Sequence, residues 1–202
     1  MQKRKSRSLL KIIGFFLFAL SLGLLIYSFV DKYTLQKEEE QLLEVFFTEY
    51  ENKELEEVIE DEKIIEERYS IVLEIPSISL KKGLYDINSK KNNVDYNLEV
   101  LSNSNTPDII NGNLIIASHS GTSSVAYFDN LEEVKNEDEI IVFYDSQKYV
   151  YKVSNIYEVD KTGTISLQKK YGETIIALIT CSKQDKTKQL VVVANQLVEQ
   201  ES

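Results

Sequence analysis

The chain has 202 residues, enough for one domain with accessory segments. Its 33 acidic against 23 basic residues give a formal net charge of −10, which argues against a phosphate-binding basic face and so against a nucleic-acid partner. A single cysteine excludes an intramolecular disulfide framework, and seven glycines with two prolines argue against a collagenous or disordered chain.

Residues 1–11 form a basic tail with Lys3, Arg4, Lys5, Arg7 and Lys11 and no acid. Ile12 to Val30 then carries no charge and is rich in Leu, Ile and Phe. At about 1.5 Å rise per residue, such a helix approaches the roughly 30 Å of a bilayer core. This predicts a transmembrane signal-anchor over 12–30, with the basic tail cytoplasmic and the chain from Asp31 onward outside. A cleaved signal peptide would have a shorter apolar run followed by small residues, and Ile26-Tyr27-Ser28-Phe29-Val30-Asp31 offers no such site. Residues 31–68 are rich in Glu and contain no Gly or Pro. Leu35, Leu42, Leu43 and Phe46, then Leu55, Val58 and Ile59, recur at helical spacing, which predicts an acidic helical stalk with one apolar stripe.

From residue 69 to 202 the composition shifts to strands. Ile71 to Leu80 reads as two short strands or one strand bent at Pro76, because proline cannot donate to a central ladder. Lys81 to Asn93 reads as loop, Val94 to Leu101 as a short helix, and Asn103 to Asn113 as loop. Leu114 to Ser118 is a strand, and Val125 to Leu131 a turn or short helix. Glu139 to Tyr144 and Lys148 to Val159 are strands joined by the hairpin signal Asp145-Ser146-Gln147. Thr174 to Thr180 and Gln189 to Ala194 are apolar, β-branched strands around the polar turn Ser182 to Lys188. The sum is a mainly β domain of about seven to eight strands with short connections, a single barrel or a sandwich.

Two singletons stand at strand ends. Cys181 closes the first of the last two strands, and His119 follows the strand Leu114 to Ser118. A lone cysteine is otherwise a small buried apolar side chain, since reactivity requires a specific polar setting. A thiol and an imidazole together are the minimum set for nucleophilic catalysis. The order His before Cys along the chain differs from the papain arrangement.

These residues resemble the sortases, membrane-anchored cysteine transpeptidases of Gram-positive bacteria, over roughly Ile71 to Leu197. The sortase nucleophile motif Thr-Leu-X-Thr-Cys reads here as Ala177-Leu178-Ile179-Thr180-Cys181, with Ala in the first place. The histidine that precedes a Phe-X-X-Leu element is matched by His119 before Phe128-Asp129-Asn130-Leu131, and an Ile-Pro pair in the first strand by Ile75-Pro76. The resemblance implies a single sortase-like β-barrel. It also implies cleavage of a Leu-Pro-X-Thr-Gly-like sorting signal through a thioacyl on Cys181, with His119 as acid and base, and transfer to an amine. The expected partners are surface proteins bearing sorting signals, an amine acceptor of peptidoglycan or of another protein, and the membrane. No cofactor is expected and no metal ligand is assigned, and the sequence leaves a calcium requirement open.

One departure stands out. Sortases carry an arginine at the start of the strand after the cysteine; here that position is Gln189, and the only arginines are Arg4, Arg7 and Arg68. Either the Gln189 amide takes the role, or Lys186 or Lys188 supplies the charge, or the protein binds sorting-signal peptides without turnover. Thr180 and Lys188 are the expected substrate-binding residues.

Overall fold

The structure is a computed structural model that describes residues 2–51, 68–167, 169–170 and 172–197. One helix, α1, runs from Gln2 to Glu51. From Gly14 onward it is long and apolar enough to cross a membrane, and the apolar window is wholly unburied, with Phe15, Leu25 and Phe29 among the exposed side chains. The segments expected as tail, anchor and the first part of the stalk therefore share one helix. Residues 52–67, the rest of that stalk, lie outside the described residues. The chain divides into two compact units, 1–40 and 41–202.

The second unit is built on eight strands: β1 (Tyr69–Ile75), β2 (Leu80–Tyr85), β3 (Glu99–Val100), β4 (Asn113–Ala117), β5 (Glu139–Tyr144), β6 (Gln147–Asp160), β7 (Ile175–Cys181) and β8 (Lys188–Gln196). They form one sheet in the order β2-β1-β5-β6-β8-β7-β4-β3. β4 and β7 are parallel, and the other neighbouring pairs are antiparallel. The outer strands β2 and β3 approach each other, and Asn97 Nδ2 donates to Gly83 O at 2.8 Å between them. The result is the expected mainly β, nearly closed barrel, with eight strands.

Local chemistry explains the turns. Pro76 ends β1 and opens a single 3-10 turn over Pro76–Ile78, after which Ser79 in the left-handed region (φ 53°) starts β2. The β5–β6 hairpin turns on Asp145 (φ 44°) and Ser146 (φ 57°), the double positive φ of a type I′ turn that matches the strand twist. Gly83 is required by close approach: a Cβ there would lie 1.9 Å from the Tyr69 ring.

Two expectations are corrected. The loop expected from Lys81 onward is strand to Tyr85, because Leu84 and Tyr85 are buried and the segment pairs with β1 along its length. The helix expected over Val94–Leu101 is a turn followed by β3. There the Asn92 side-chain amide brackets Val100, accepting from its N–H at 2.7 Å and donating to its O at 2.9 Å. Leu101 N–H then donates to Ile115 O at 2.9 Å, so pairing with β4 prevails over local helix propensity.

Side chains alternate across the wall of the barrel. On β7, Ile176 and Leu178 join Leu73, Leu98, Ile116, Phe128, Val142 and Val192 in the interior core. Ile175, Ala177 and Ile179 lie on the outer face with Val191 and Val193, under Ile165 and Leu167. A second outer patch, Tyr69, Val72 and Tyr85, is covered by Leu42, Leu43, Phe46, Phe47 and Tyr50 from the last turns of α1.

Candidate functional site

The alternation decides which groups meet. β4 and β7 run in parallel with Ala117 opposite Ile179. His119 and Cys181 each lie two residues beyond that pair, with the parity of the outer face. Three hydrogen bonds carry the pairing past the end of β4: Ser118 N–H to Ile179 O (3.1 Å), Thr180 Oγ1 to Ser118 O (2.8 Å) and Ser120 Oγ to Cys181 O (2.7 Å). Neighbouring strands lie about 4.8 Å apart, so this lashing holds the two strand ends side by side.

Gln189 is opposite Cys181 on β8. Ser182 N–H donates to Lys188 O at 3.0 Å, so Ser182 and Lys188 belong to a hydrogen-bonded step of the ladder. By alternation, Cys181 and Gln189 form the closer kind of pair, with Cα atoms about 4.5 Å apart and side chains on one face. Cys181 and Gln189 are thus brought together on the outer face, and the Ser120 hydroxyl ties the loop that carries His119 to the Cys181 carbonyl. Thr180 is not with them: its side chain is buried on the interior side and its hydroxyl is committed to Ser118 O. Lys188 also has interior parity, and its Nζ lies 3.9 Å from Glu158 Oε2.

The thiol of Cys181 is half-buried and free of any disulfide. Lys161 Nζ donates to Cys181 Sγ at 3.4 Å. The imidazole of His119, 42% exposed, has its Nε2 at 3.3 Å from Asp95 Oδ1. Among the described residues no hydrogen bond joins the thiol to the imidazole, a separation common before a substrate is bound.

Asp129 ties the loop after His119 to the loop after Cys181. Its Oδ1 accepts from Gly121 N–H at 2.8 Å and pairs with Lys183 Nζ at 2.9 Å. The Lys183 hydrogen bond and the Gly121 amide hold the Asp129 carboxyl below the usual carboxylate range, and Asp129 in turn holds the Lys183 ammonium above its ordinary value. The flanking Phe128 and Leu131 are fully buried, so the Phe-X-X-Leu element is anchored in the core while its second residue clamps two loops. Phe128 N–H also donates to His119 O at 3.2 Å. The β7–β8 loop staples itself: Ser182 Oγ accepts from Gln184 and Asp185 N–H, and the Thr187 hydroxyl and amide on Asp185 lower its carboxyl's pKa.

Beside Cys181 the barrel end opens as a cleft of about 420 Å³ with Phe128, Ile156 and Leu190 among its apolar walls and Glu132, Glu158 and Lys183 among its polar ones. No cluster of three or more His, Cys, Asp or Glu side chains able to hold a metal ion occurs among the described residues. A thiol with an ammonium and an amide on its face, and an imidazole on the adjoining loop, are groups that nucleophilic acyl transfer uses. Sequence reasoning missed Asp95, Ser120, Asp129, Lys161 and Lys183. Only Asp129 carried a signal, by lying inside the Phe-X-X-Leu element.

Comparison with known proteins shows the family and the fold. The family model of the sortase domain matches residues 73–197. The chain is 28% identical over 123 residues to sortase A of Bacillus anthracis, which covers 59% of this chain; it spans 56% of that relative's length. Among solved structures, sortase A from Corynebacterium diphtheriae is 26% identical with a TM-score of 0.58, over 66% of this chain and 63% of that one. A sortase D5 transpeptidase from Clostridium perfringens shares the fold, with a TM-score of 0.61 at 20% identity over 80% of this chain and 99% of that one.

Proposed function

The chain belongs to the sortase family, and on that premise we propose that it is a membrane-anchored cysteine transpeptidase that cleaves a Leu-Pro-X-Thr-Gly-like sorting signal and joins the freed carboxyl end to an amine. The observation that supports this reading is the lashing of two strand ends, in which Ser118, Thr180 and Ser120 tie the loop that carries His119 to the end of β7 that carries Cys181.

In the proposed reaction His119 takes the Cys181 proton and Sγ attacks the scissile carbonyl carbon. The π electrons move onto the carbonyl oxygen, where the Gln189 amide and nearby backbone N–H groups donate to it. As the tetrahedral adduct collapses, His119 protonates the leaving amine and a thioacyl remains on Cys181. His119 then deprotonates the incoming amine, of peptidoglycan or of another protein, and the acyl group passes to it. Thr180 serves by holding the His119 loop through Ser118 O, and the cleft beside Cys181 receives the apolar part of the signal. Lys188 lies on the far side of the ladder from the thiol, and its proposed part is confined to the rim of that cleft. The helix α1 anchors the protein in the membrane, with residues 1–11 in the cytoplasm and the barrel outside. No cofactor enters the scheme.

The test is turnover of sorting-signal peptides, with an added amine, by the full chain in detergent micelles. The parent protein is expected to yield the amine-capped product, Cys181→Ala none, and His119→Ala about 10²- to 10⁴-fold less. Undiminished turnover by Cys181→Ala ends the enzyme reading. Peptide binding without cleavage by the parent protein assigns it instead as a sorting-signal receptor on a sortase fold.

A further inference from the structure

The cation at the thiol comes from an unexpected place. Lys161 follows the last residue of β6, and its Nζ donates to Cys181 Sγ at 3.4 Å. Among the described residues this is the thiol's only hydrogen-bond partner. The position of the lysine is set by backbone contacts: Lys161 N–H donates to Thr187 O at 2.8 Å and Thr162 N–H to Asp160 O at 2.8 Å. Val159, Gln189 and Cys181 form one row across β6, β8 and β7. Lys161, two residues beyond Val159, therefore rises on the same outer face, and its Nζ reaches the sulfur. The competing lysine, Lys188, sits on the opposite face beside Glu158.

We propose that Lys161 is the catalytic cation of this site, the group that carries positive charge to the Cys181 sulfur and to the oxyanion formed from it. The inference rests on the transpeptidase reading only for its second half. An ammonium beside the sulfur stabilises the thiolate whatever electrophile it meets. When Sγ bonds to a carbonyl carbon, the negative charge passes from sulfur to the carbonyl oxygen, and the same N–H donors turn to it. Lys161 stays protonated throughout: the proton of the thiol goes to His119, and the leaving amine takes it from there. A charged donor is worth roughly twice a neutral one, so the ammonium outweighs the Gln189 amide in this role.

Two readouts on the full chain in detergent separate this inference from the function above. The first is the rate of Cys181 alkylation by iodoacetamide at pH 7, which needs no peptide. Lys161→Met should slow it severalfold, and Lys161→Arg should restore most of the rate. The second is peptide turnover, where Lys161→Met should lower kcat/KM by about tenfold or more, mainly through kcat, with Lys161→Arg again intermediate. Lys161 is exposed, and unfolding curves of the variants check that the fold is kept. Slowed alkylation in Lys161→Met, where the parent protein cleaves no peptide, upholds the Lys161 contact and removes the transpeptidase reading. Parent-like alkylation and turnover in Lys161→Met, or a crippled Lys188→Ala beside an unaffected Lys161→Met, overturns the assignment.

Discussion

The outer wall of the barrel carries two apolar patches, and they are covered in different ways. Over β1, β2 and β5 the cover is regular helix. Phe47 and Tyr50 meet Phe143 edge-on at 5.2 and 5.6 Å between ring centroids, Lys81 stands over the Phe47 ring at 4.2 Å, and Arg68 pairs with Glu49. Over β7 and β8 the cover is irregular chain, with Ile165 and Leu167 on Ile175, Ala177, Ile179, Val191 and Val193. A helix seals its patch and stabilises it through burial. The irregular segment covers its patch with Ile165 and Leu167, and Cys181 and Gln189 stand beyond Ile179 and Val191 at the strand ends. Similar apolar surfaces thus serve stability in one place and, on the proposed function, frame the reacting edge in the other.

The comparison breaks most sharply if chemistry and stability fail to separate between the patches. His119→Ala should lower peptide turnover by about 10²- to 10⁴-fold, the usual scale of a general acid–base group, while shifting the melting temperature little. Phe46→Ala should do the reverse. Phe46 is 9% exposed at the centre of the helix-covered patch, and truncating a buried Phe costs about 3–5 kcal/mol. Turnover per folded molecule should be unchanged, as active-site titration against urea unfolding would measure. A Phe46→Ala protein of parental stability would mean that the helix end does not seal this patch.

Smaller effects sharpen the second patch. Gln189 shares the face of Cys181, and a neutral hydrogen bond contributes about 0.5–1.5 kcal/mol, so Gln189→Ala should cost roughly two- to tenfold in kcat/KM. A loss as large as that of His119→Ala would make the amide, rather than Lys161, the main stabiliser of the oxyanion. The Asp129 clamp predicts a pH effect. Its carboxyl is held below the usual range in the fold by Lys183 and Gly121, so its contribution is fully present above the unfolded value of about 3.9 and is lost as pH falls through the lower folded value. The acid limb of melting temperature against pH should therefore be shallower in Asp129→Asn than in the parent protein. Equal limbs would show that the clamp adds nothing to the fold.

Much of this architecture can be read from residues alone where patterns are local. The β-branched runs at β7 and β8 and the Asp145-Ser146 turn all announce their elements. Lys81–Tyr85 does not, because its burial depends on a partner strand and on the Tyr69 ring lying over Gly83. β3 does not, because two residues of strand are held by the Asn92 side chain and by β4 rather than by any periodicity. The site divides in the same way. Cys181, His119 and Gln189 stand out through rarity and motif position. Lys161 and Asp95 are ordinary charged residues in sequence, and they acquire meaning only when β6 is threaded beside β8 and the turn before β3 is folded against the His119 loop.

The central claim is that Cys181 sulfur forms a covalent bond to the carbonyl carbon of a sorting signal. Intact-protein mass spectrometry of the full chain, mixed with a Leu-Pro-X-Thr-Gly peptide and no amine, tests it directly. The account predicts a mass increase equal to the N-terminal fragment of the cut peptide, mapped by digestion to Cys181 and discharged when an amine is added. Cleavage with no adduct on Cys181, or an adduct that no amine removes, would contradict it.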